Sequence, residues 1–186
     1  MISRIITKIF SIVDNLRWKS YYKTCINRGL KLNKGAVLRN GIDFGSEPFL
    51  IEIGENSRIS SNVSFITHSG GQMIMRKVKG YEDVRIFGRI KIGENTFVGA
   101  HAIITHNVQI GNNCIIGSGS IVSSSVPDNC VYAGVPAKFI CTVEEYYEKK
   151  KSESVDYPRE LEADRPKLDA YIKEHLPYSY KPVKHL

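Results

Sequence analysis

The sequence predicts an all-β solenoid with an amphipathic helix before it and a helical tail after it. Three observations carry that prediction. First, from Ile92 the chain counts in sixes: Ile92, Val98, Ile104, Ile110, Ile116 and Val122 are all aliphatic. The position after each is small (Gly93, Gly99, Thr105, Gly111, Gly117, Ser123). The position four after each is small or aliphatic (Thr96, Ala102, Val108, Cys114, Ser120, Val126). Second, the apolar residues before position 30 follow helical spacing. Third, the count of six ends near residue 141, and helical patterning returns. A fixed short period marks stacked units that bury their apolar face only against their neighbours.

Residues 1–29 form the first segment. In "MISRIITKIFSIVDNLRW", Ile2, Ile5, Ile6, Ile9, Val13 and Leu16 fall on one helical face. Arg4, Lys8 and Asp14 interrupt the apolar runs, so none approaches the roughly 20 residues of a membrane span. The stretch reads as a helix packed on the domain or a neighbouring subunit. A second reading is peripheral contact with a membrane surface, flanked by Arg4, Lys8, Arg17, Trp18 and Lys19.

Residues 30–141 form the solenoid. Its phase extends upstream to Ile53, Ile59 and Phe65, and more weakly to Leu32, Leu38 and Phe44. Six residues suit a short strand and a tight corner, with the aliphatic side chain inward and small residues letting coils stack closely. The count breaks once. After "SFITH" (64–68), residues 69–90 hold no six-residue phase, and Gly70-Gly71 permits a sharp exit. A loop of that length inside a compact repeat is usually functional. Its basic bias (Arg76, Lys77, Lys79, Arg85, Arg89 against Glu82 and Asp83) suits an anionic ligand. Residues 142–186 form the tail: "TVEEYYEKKKSES" and "DRPKLDAYIKEHL" read as helices, with Pro166 in a first turn. "SYKPVKHL" reads as loosely held. Tyr146, Tyr147, Tyr157, Tyr171, Tyr178 and Tyr180 make the tail aromatic.

Composition bounds the function. The 186 residues carry a net charge of +7, with a pI of about 9.2. The basic residues are scattered, and Lys149–Lys151 is the one dense run. No zinc-finger spacing or RNP-like aromatic motif appears, so nucleic acid is not an expected partner. Cys25, Cys114, Cys130 and Cys141 form no CxxC pair. With no secretory signal in the opening stretch, they read as reduced thiols of a cytoplasmic protein.

"NTFVGAHAIITHNVQIGNNCIIGSGSIVSSSVPDNCVYAGVPAKFI", residues 95–140, resembles the C-terminal half of the hexapeptide-repeat acyltransferases. The resemblance covers roughly residues 30–141 and is nearest to galactoside and maltose acetyltransferases and related sugar O-acetyltransferases of surface polysaccharide synthesis. It implies a left-handed parallel β-helix with three strands per coil, a homotrimer, acetyl-CoA as co-substrate, a sugar or glycan acceptor and no metal. It makes His68 the catalytic base, just before a loop that reaches over a neighbouring subunit. It places the coenzyme beside Ala100, Gly117 and Ser118, with Phe97 replacing a larger aromatic at the pantetheine arm. Ser123 falls where a threonine often contacts the coenzyme. Ser124 replaces a phosphate-binding lysine, which is a departure from the pattern. Lys138, in "AGVPAKFI", fits the basic position near the nucleotide phosphates.

The chemistry agrees with His68. An ordinary imidazole, with a pKa near 6.5, can take the proton of a hydroxyl attacking a thioester. An amine acceptor would serve equally. Two other readings stand beside this one. His68, His101 and His106 could be the zinc ligands of a γ-class carbonic-anhydrase-like hydratase, although His101 sits one residue later in its hexad than that family's ligand. The solenoid could also be a non-catalytic binding module.

Overall fold

A computed structural model describes residues 2–176, with side chains from residue 6 onward. The side chains of Ile2, Arg4 and Ile5, the tyrosines at 178 and 180 and the segment "SYKPVKHL" lie outside the described residues. Residues 1–146 form one compact unit and residues 147–186 a second.

Helix α1 (Ile2–Asn27) leads into four coils. The first holds β1 (Lys31–Leu32) and β2 (Val37–Leu38), with Asp43 bridging in place of a third strand. The second holds β3 (Ile51–Ile53), β4 (Arg58–Ile59) and β5 (Ser64–Ile66). A loop containing one short helix, α2 (Gln72–Met75), follows. The third coil is β6 (Ile90–Ile92), β7 (Phe97–Val98) and β8 (Ile103–Thr105). The fourth is β9 (Val108–Ile110), β10 (Ile115–Ile116) and β11 (Ile121–Val122). Strands β12 (Cys130–Gly134) and β13 (Ala137–Thr142) close the stack as an antiparallel hairpin on the second sheet, turning through a cis Val135–Pro136 bond.

Successive strands visit three sheets in rotation, and each pairs in parallel with its equivalent in the next coil. Ile53 pairs with Ile92 and Ile92 with Ile110; Ile59 with Val98 and Val98 with Ile116; Phe65 with Ile104 and Ile104 with Val122. These are the residues of the six-count, and all are at most 1% exposed. The loop adds length between the second and third coils without shifting the register, because Ile51 still meets Ile90.

The corners explain the small positions. A side chain at Gly93 would place its Cβ 2.4 Å from the Gly111 carbonyl oxygen, and one at Gly54 would sit 2.4 Å from Gly93. The coils therefore pack backbone on backbone there. At the same corner, buried hydroxyls stitch the stack. Ser57 Oγ donates to the Gly93 carbonyl (2.6 Å) and accepts from Thr96 N (2.9 Å). Thr96 Oγ1 donates to the Gly111 carbonyl (2.8 Å) and accepts from Cys114 N (3.0 Å).

A second periodic signal lies at the left-handed corners. Asn56, Asn62, Asn95, Asn107 and Asn113 all have φ between 52° and 61°. Asparagine tolerates that region better than most residues. His101 takes the same position with φ 60°.

The outward faces differ in kind. The first sheet presents Lys31, Glu52, Lys91 and Gln109, with Glu52 bridged to both lysines at 3.7 Å. The second presents Val37, Arg58, Phe97 and Ile115, and the third presents Ser64, Ile103 and Ile121, with Ile66 beside them.

The C-terminal half of α1 is anchored to the solenoid. Cys25 is buried and Tyr21 and Tyr22 pack against the core. Tyr21 Oη accepts from Phe44 N (3.1 Å). Tyr22 Oη donates to the Arg39 carbonyl (2.5 Å) and accepts from Ile42 N (3.2 Å). Burial pushes the Tyr21 phenol up to about 12. The N-terminal half is not covered: Ile6, Ile9, Phe10, Ile12, Val13 and Leu16 are 48–70% exposed. The expected packing of this helix on its own domain thus holds for its second half only.

In the second unit, an extended stretch follows α3 (Val143–Lys151), which spans the division. Helix α4 (Arg165–His175) is capped by Asp164, which accepts from Lys167 N, with Pro166 in its first turn. Both helices fall where their patterns predict them.

Because the Gly93 corner has no room for a Cβ, Gly93→Ala should destabilise the solenoid by about 1–3 kcal/mol. Gly70→Ala should change stability little, since nothing lies within 4 Å of a Cβ built there. Denaturant midpoints of the two variants test this.

Candidate active site

His68 leaves the third sheet directly after β5, where the loop departs. It is not a free corner residue. It forms an antiparallel bridge with Phe87, the residue at which the loop returns. Ser69 N donates to the Ile86 carbonyl (3.2 Å) and Gly88 N to the Thr67 carbonyl (2.8 Å). Buried Gln72 accepts from Ile86 N (2.7 Å). The two arms of the loop thus form a neck, with the imidazole beside the Phe87 ring at 5.9 Å between centroids. Within the loop, Arg76 donates to the Val84 carbonyl and Arg85 to the Glu82 and Val84 carbonyls. These two basic residues shape the loop itself, while Lys77, Lys79 and Arg89 stand exposed.

Sequence reasoning missed Glu47. Asp43 pairs with Ser64, and the same register four residues on sets Glu47 opposite His68. Pro48, buried at the start of a short 3-10 turn, fixes the chain there. Glu47 Oε2 lies 2.8 Å from His68 Nδ1 and accepts from Thr67 Oγ1 at 2.6 Å. Burial raises the Glu47 carboxyl pKa, but hydrogen bonds from Thr67, Ser46 and His68 outweigh it and bring the value down to about 2. The carboxylate is therefore ionised at ordinary pH and can only accept. In neutral His68, Nδ1 then carries the hydrogen, and Nε2 keeps its lone pair. The His68 side chain is 37% exposed and the Glu47 side chain 16%, so a sheltered carboxylate holds an accessible imidazole.

The other candidates lie at three places. Ser123 and Ser124 occupy the same corner as His68, two coils further, and are exposed. Ala100, Gly117 and Ser118 sit at the corner between the second and third sheets. That corner is across the third sheet from His68, about 15 Å away at strand rise. Phe97 is 43% exposed on the second sheet, and Lys138 is exposed on β13. A Cβ at Gly117 would meet Ala133 Cβ at 2.8 Å, so packing of the hairpin accounts for that glycine. The chain alone therefore does not bring His68 and the Ala100–Ser118 group together.

The three histidines divide between two corners. His106 stands at the His68 corner, one coil on, with its Nδ1 buried and without a hydrogen-bond partner among the described residues. His101 lies at the other corner, its Nε2 3.5 Å from Asn62 Nδ2. Among the described residues, no group of three or more His, Cys, Asp or Glu side chains is placed to hold a metal ion.

Residues 89–124 match the family model described as bacterial transferase hexapeptide (six repeats). Protein CapG of Staphylococcus aureus is 50% identical over 125 residues, covering 67% of this chain and 71% of that one. The chain belongs to the bacterial hexapeptide-repeat transferases. A hexapeptide-repeat-containing acetyltransferase from Vibrio cholerae superposes with a TM-score of 0.52 at 18% identity, over 68% of this chain and 81% of that one, which shows a shared fold. A maltose O-acetyltransferase from Clostridium difficile aligns at 22% identity over 68% of this chain and 87% of that one, with a TM-score of 0.48.

The Glu47 carboxyl has a consequence for this transferase in acid. Its folded value of about 2 lies below the unfolded value near 4.3. It therefore adds stability at every pH above about 4, and that stability is lost as pH falls toward 2. Glu47→Gln should be less stable than the parent near neutrality, and the gap should narrow in acid. Denaturant midpoints at about pH 6 and about pH 3 check the sign.

Proposed function

We propose that this transferase is an acetyl-CoA-dependent O-acetyltransferase acting on a sugar hydroxyl, on the route to a surface polysaccharide. The observation that carries the reading is the Glu47–His68 pair at the neck of the loop. A bound acetyl thioester supplies an activated acyl group and a thiol leaving group. His68 Nε2 takes the proton of the acceptor hydroxyl as its oxygen attacks the acyl carbon, and returns it to the departing sulfur. Glu47 fixes the ring tautomer and stabilises the imidazolium that forms. No acyl-enzyme is needed.

Acetyl-CoA as donor rests on the family resemblance and on small or short residues at Ala100 and Ser118, which leave the backbone accessible to an extended ligand. Lys138 would meet phosphate. Exposed Lys77, Lys79 and Arg89 favour an anionic acceptor, such as a sugar carried on a phosphate.

The assembly belongs to the same proposal: a trimer of left-handed β-helices. The first outward sheet is charged, while the second carries Val37, Phe97 and Ile115 beside Arg58 and the third carries Ile103 and Ile121, apolar side chains that neighbouring copies would cover. His68 and the Ala100–Ser118 group lie across the third sheet from each other, so a second copy would bring the missing corner to the site.

Light scattering should give three chains per particle, and a stable monomer at micromolar concentration contradicts the shared site. Thiol release from acetyl-CoA across a panel of nucleotide sugars and oligosaccharides tests the reaction. His68→Ala should lower kcat by about 10²–10⁴-fold, with coenzyme affinity near the parent's. Glu47→Gln should lower kcat by less. Retention of more than about a tenth of parent kcat in His68→Ala would remove the general-base step.

A further inference from the structure

We propose that the N-terminal half of α1 docks on an anionic lipid bilayer surface, lying in the interface with its apolar stripe down. The inference is independent of the transfer reaction and begins from helix geometry. Nine residues are two and a half turns of an α-helix, so residues nine apart point in opposite directions. Tyr21, Tyr22 and Cys25 anchor α1 to the solenoid. Nine residues before them stand Ile12, Val13 and Leu16, which are 50%, 56% and 60% exposed. Ile9 at 55% stands in the same relation to Trp18, whose ring packs 5.8 Å from Tyr21 and Tyr22. The apolar stripe thus faces away from the side that grips the solenoid. The chain's own coils cannot cover it.

What covers it is decided by charge and shape. Ile6, Ile9, Ile12, Val13 and Leu16 make a broad apolar face, wider than the narrow seam of a coiled coil. Lys8, Lys19 and Lys23 run along one margin in line with Ile12, and all three are exposed. Arg17 closes the stripe at its far end, 71% exposed. The acid of the helix, Asp14, lies 3.9 Å from Arg17. Two copies packed through this face would set lysine margins together with no acid to meet them. Anionic headgroups would neutralise the same lysines while the acyl boundary takes the apolar side chains. No helix among the described residues is long and apolar enough to cross a membrane, so α1 lies on the surface and does not span it.

The test uses the full chain with vesicles of phosphatidylcholine alone and of phosphatidylcholine with about one third phosphatidylglycerol, at about 0.1 M salt. The chain should co-sediment with the anionic vesicles at least tenfold more strongly than with the neutral ones, and raised salt should weaken binding. Ile9→Asp with Val13→Asp should abolish co-sedimentation and leave the oligomeric state in lipid-free buffer unchanged. Lys8→Glu with Lys19→Glu, a pair with no packing role, should weaken anionic binding by at least about fivefold for each lysine. Parent binding that is absent, or equal on the two vesicle types, overturns the proposal. So does retained binding in either variant. If the apolar variant instead changes the number of chains per particle, the face belongs to a second copy and the bilayer reading fails.

Discussion

The structure depends on the close stacking of one coil on the next. Six-residue steps set an inward aliphatic at every side of the prism, and parallel ladders bring each onto its equivalent one coil away. The spacing of parallel strands, about 4.8 Å, leaves no room for a side chain between corner backbones, which is why Gly54, Gly93 and Gly111 stand in a column. The apolar column and the glycine column are two consequences of one distance.

That constraint also determines where chemistry can be placed. A coil cannot bend its strands without disturbing both neighbours, so variation goes outward at corners. The loop at residues 69–89 leaves after β5 and returns before β6 with the ladders intact on either side. Its neck is stitched by main-chain hydrogen bonds, so His68 is held by the scaffold and by the returning strand together. Glu47 arrives from the coil before, through the same register that aligns Asp43 with Ser64. A rigid repeat thus holds an oriented imidazole without a dedicated domain.

Repetition also distributes like residues along edges. His68, His106, Ser123 and Ser124 share one corner line, while Ala100, Gly117, Ser118 and His101 share another. A prism presents these lines in different directions, so residues near in sequence, such as Ala100 and His106, serve different sides. Helix α1 follows the same logic in helical form: one side grips the first coils and the opposite side is left for something else.

The sequence alone determined the solenoid, its inward residues, the break at the loop and the helices before and after it, because each follows from a local period that the chain repeats. His68 was singled out by its place just before that break together with the family resemblance. The asparagine corners were legible as a further six-residue count, masked at one position by His101. Glu47 was not legible. Its pairing depends on how many extra residues the Pro48–Leu50 turn inserts between the first and second coils, and such an insertion erases the count that would have revealed the register. The division of the other candidates between two corners, and the orientation of the α1 stripe away from the solenoid, likewise belong to the tertiary structure. Both depend on which way a face points once the coil has closed, and a linear period carries no direction in space.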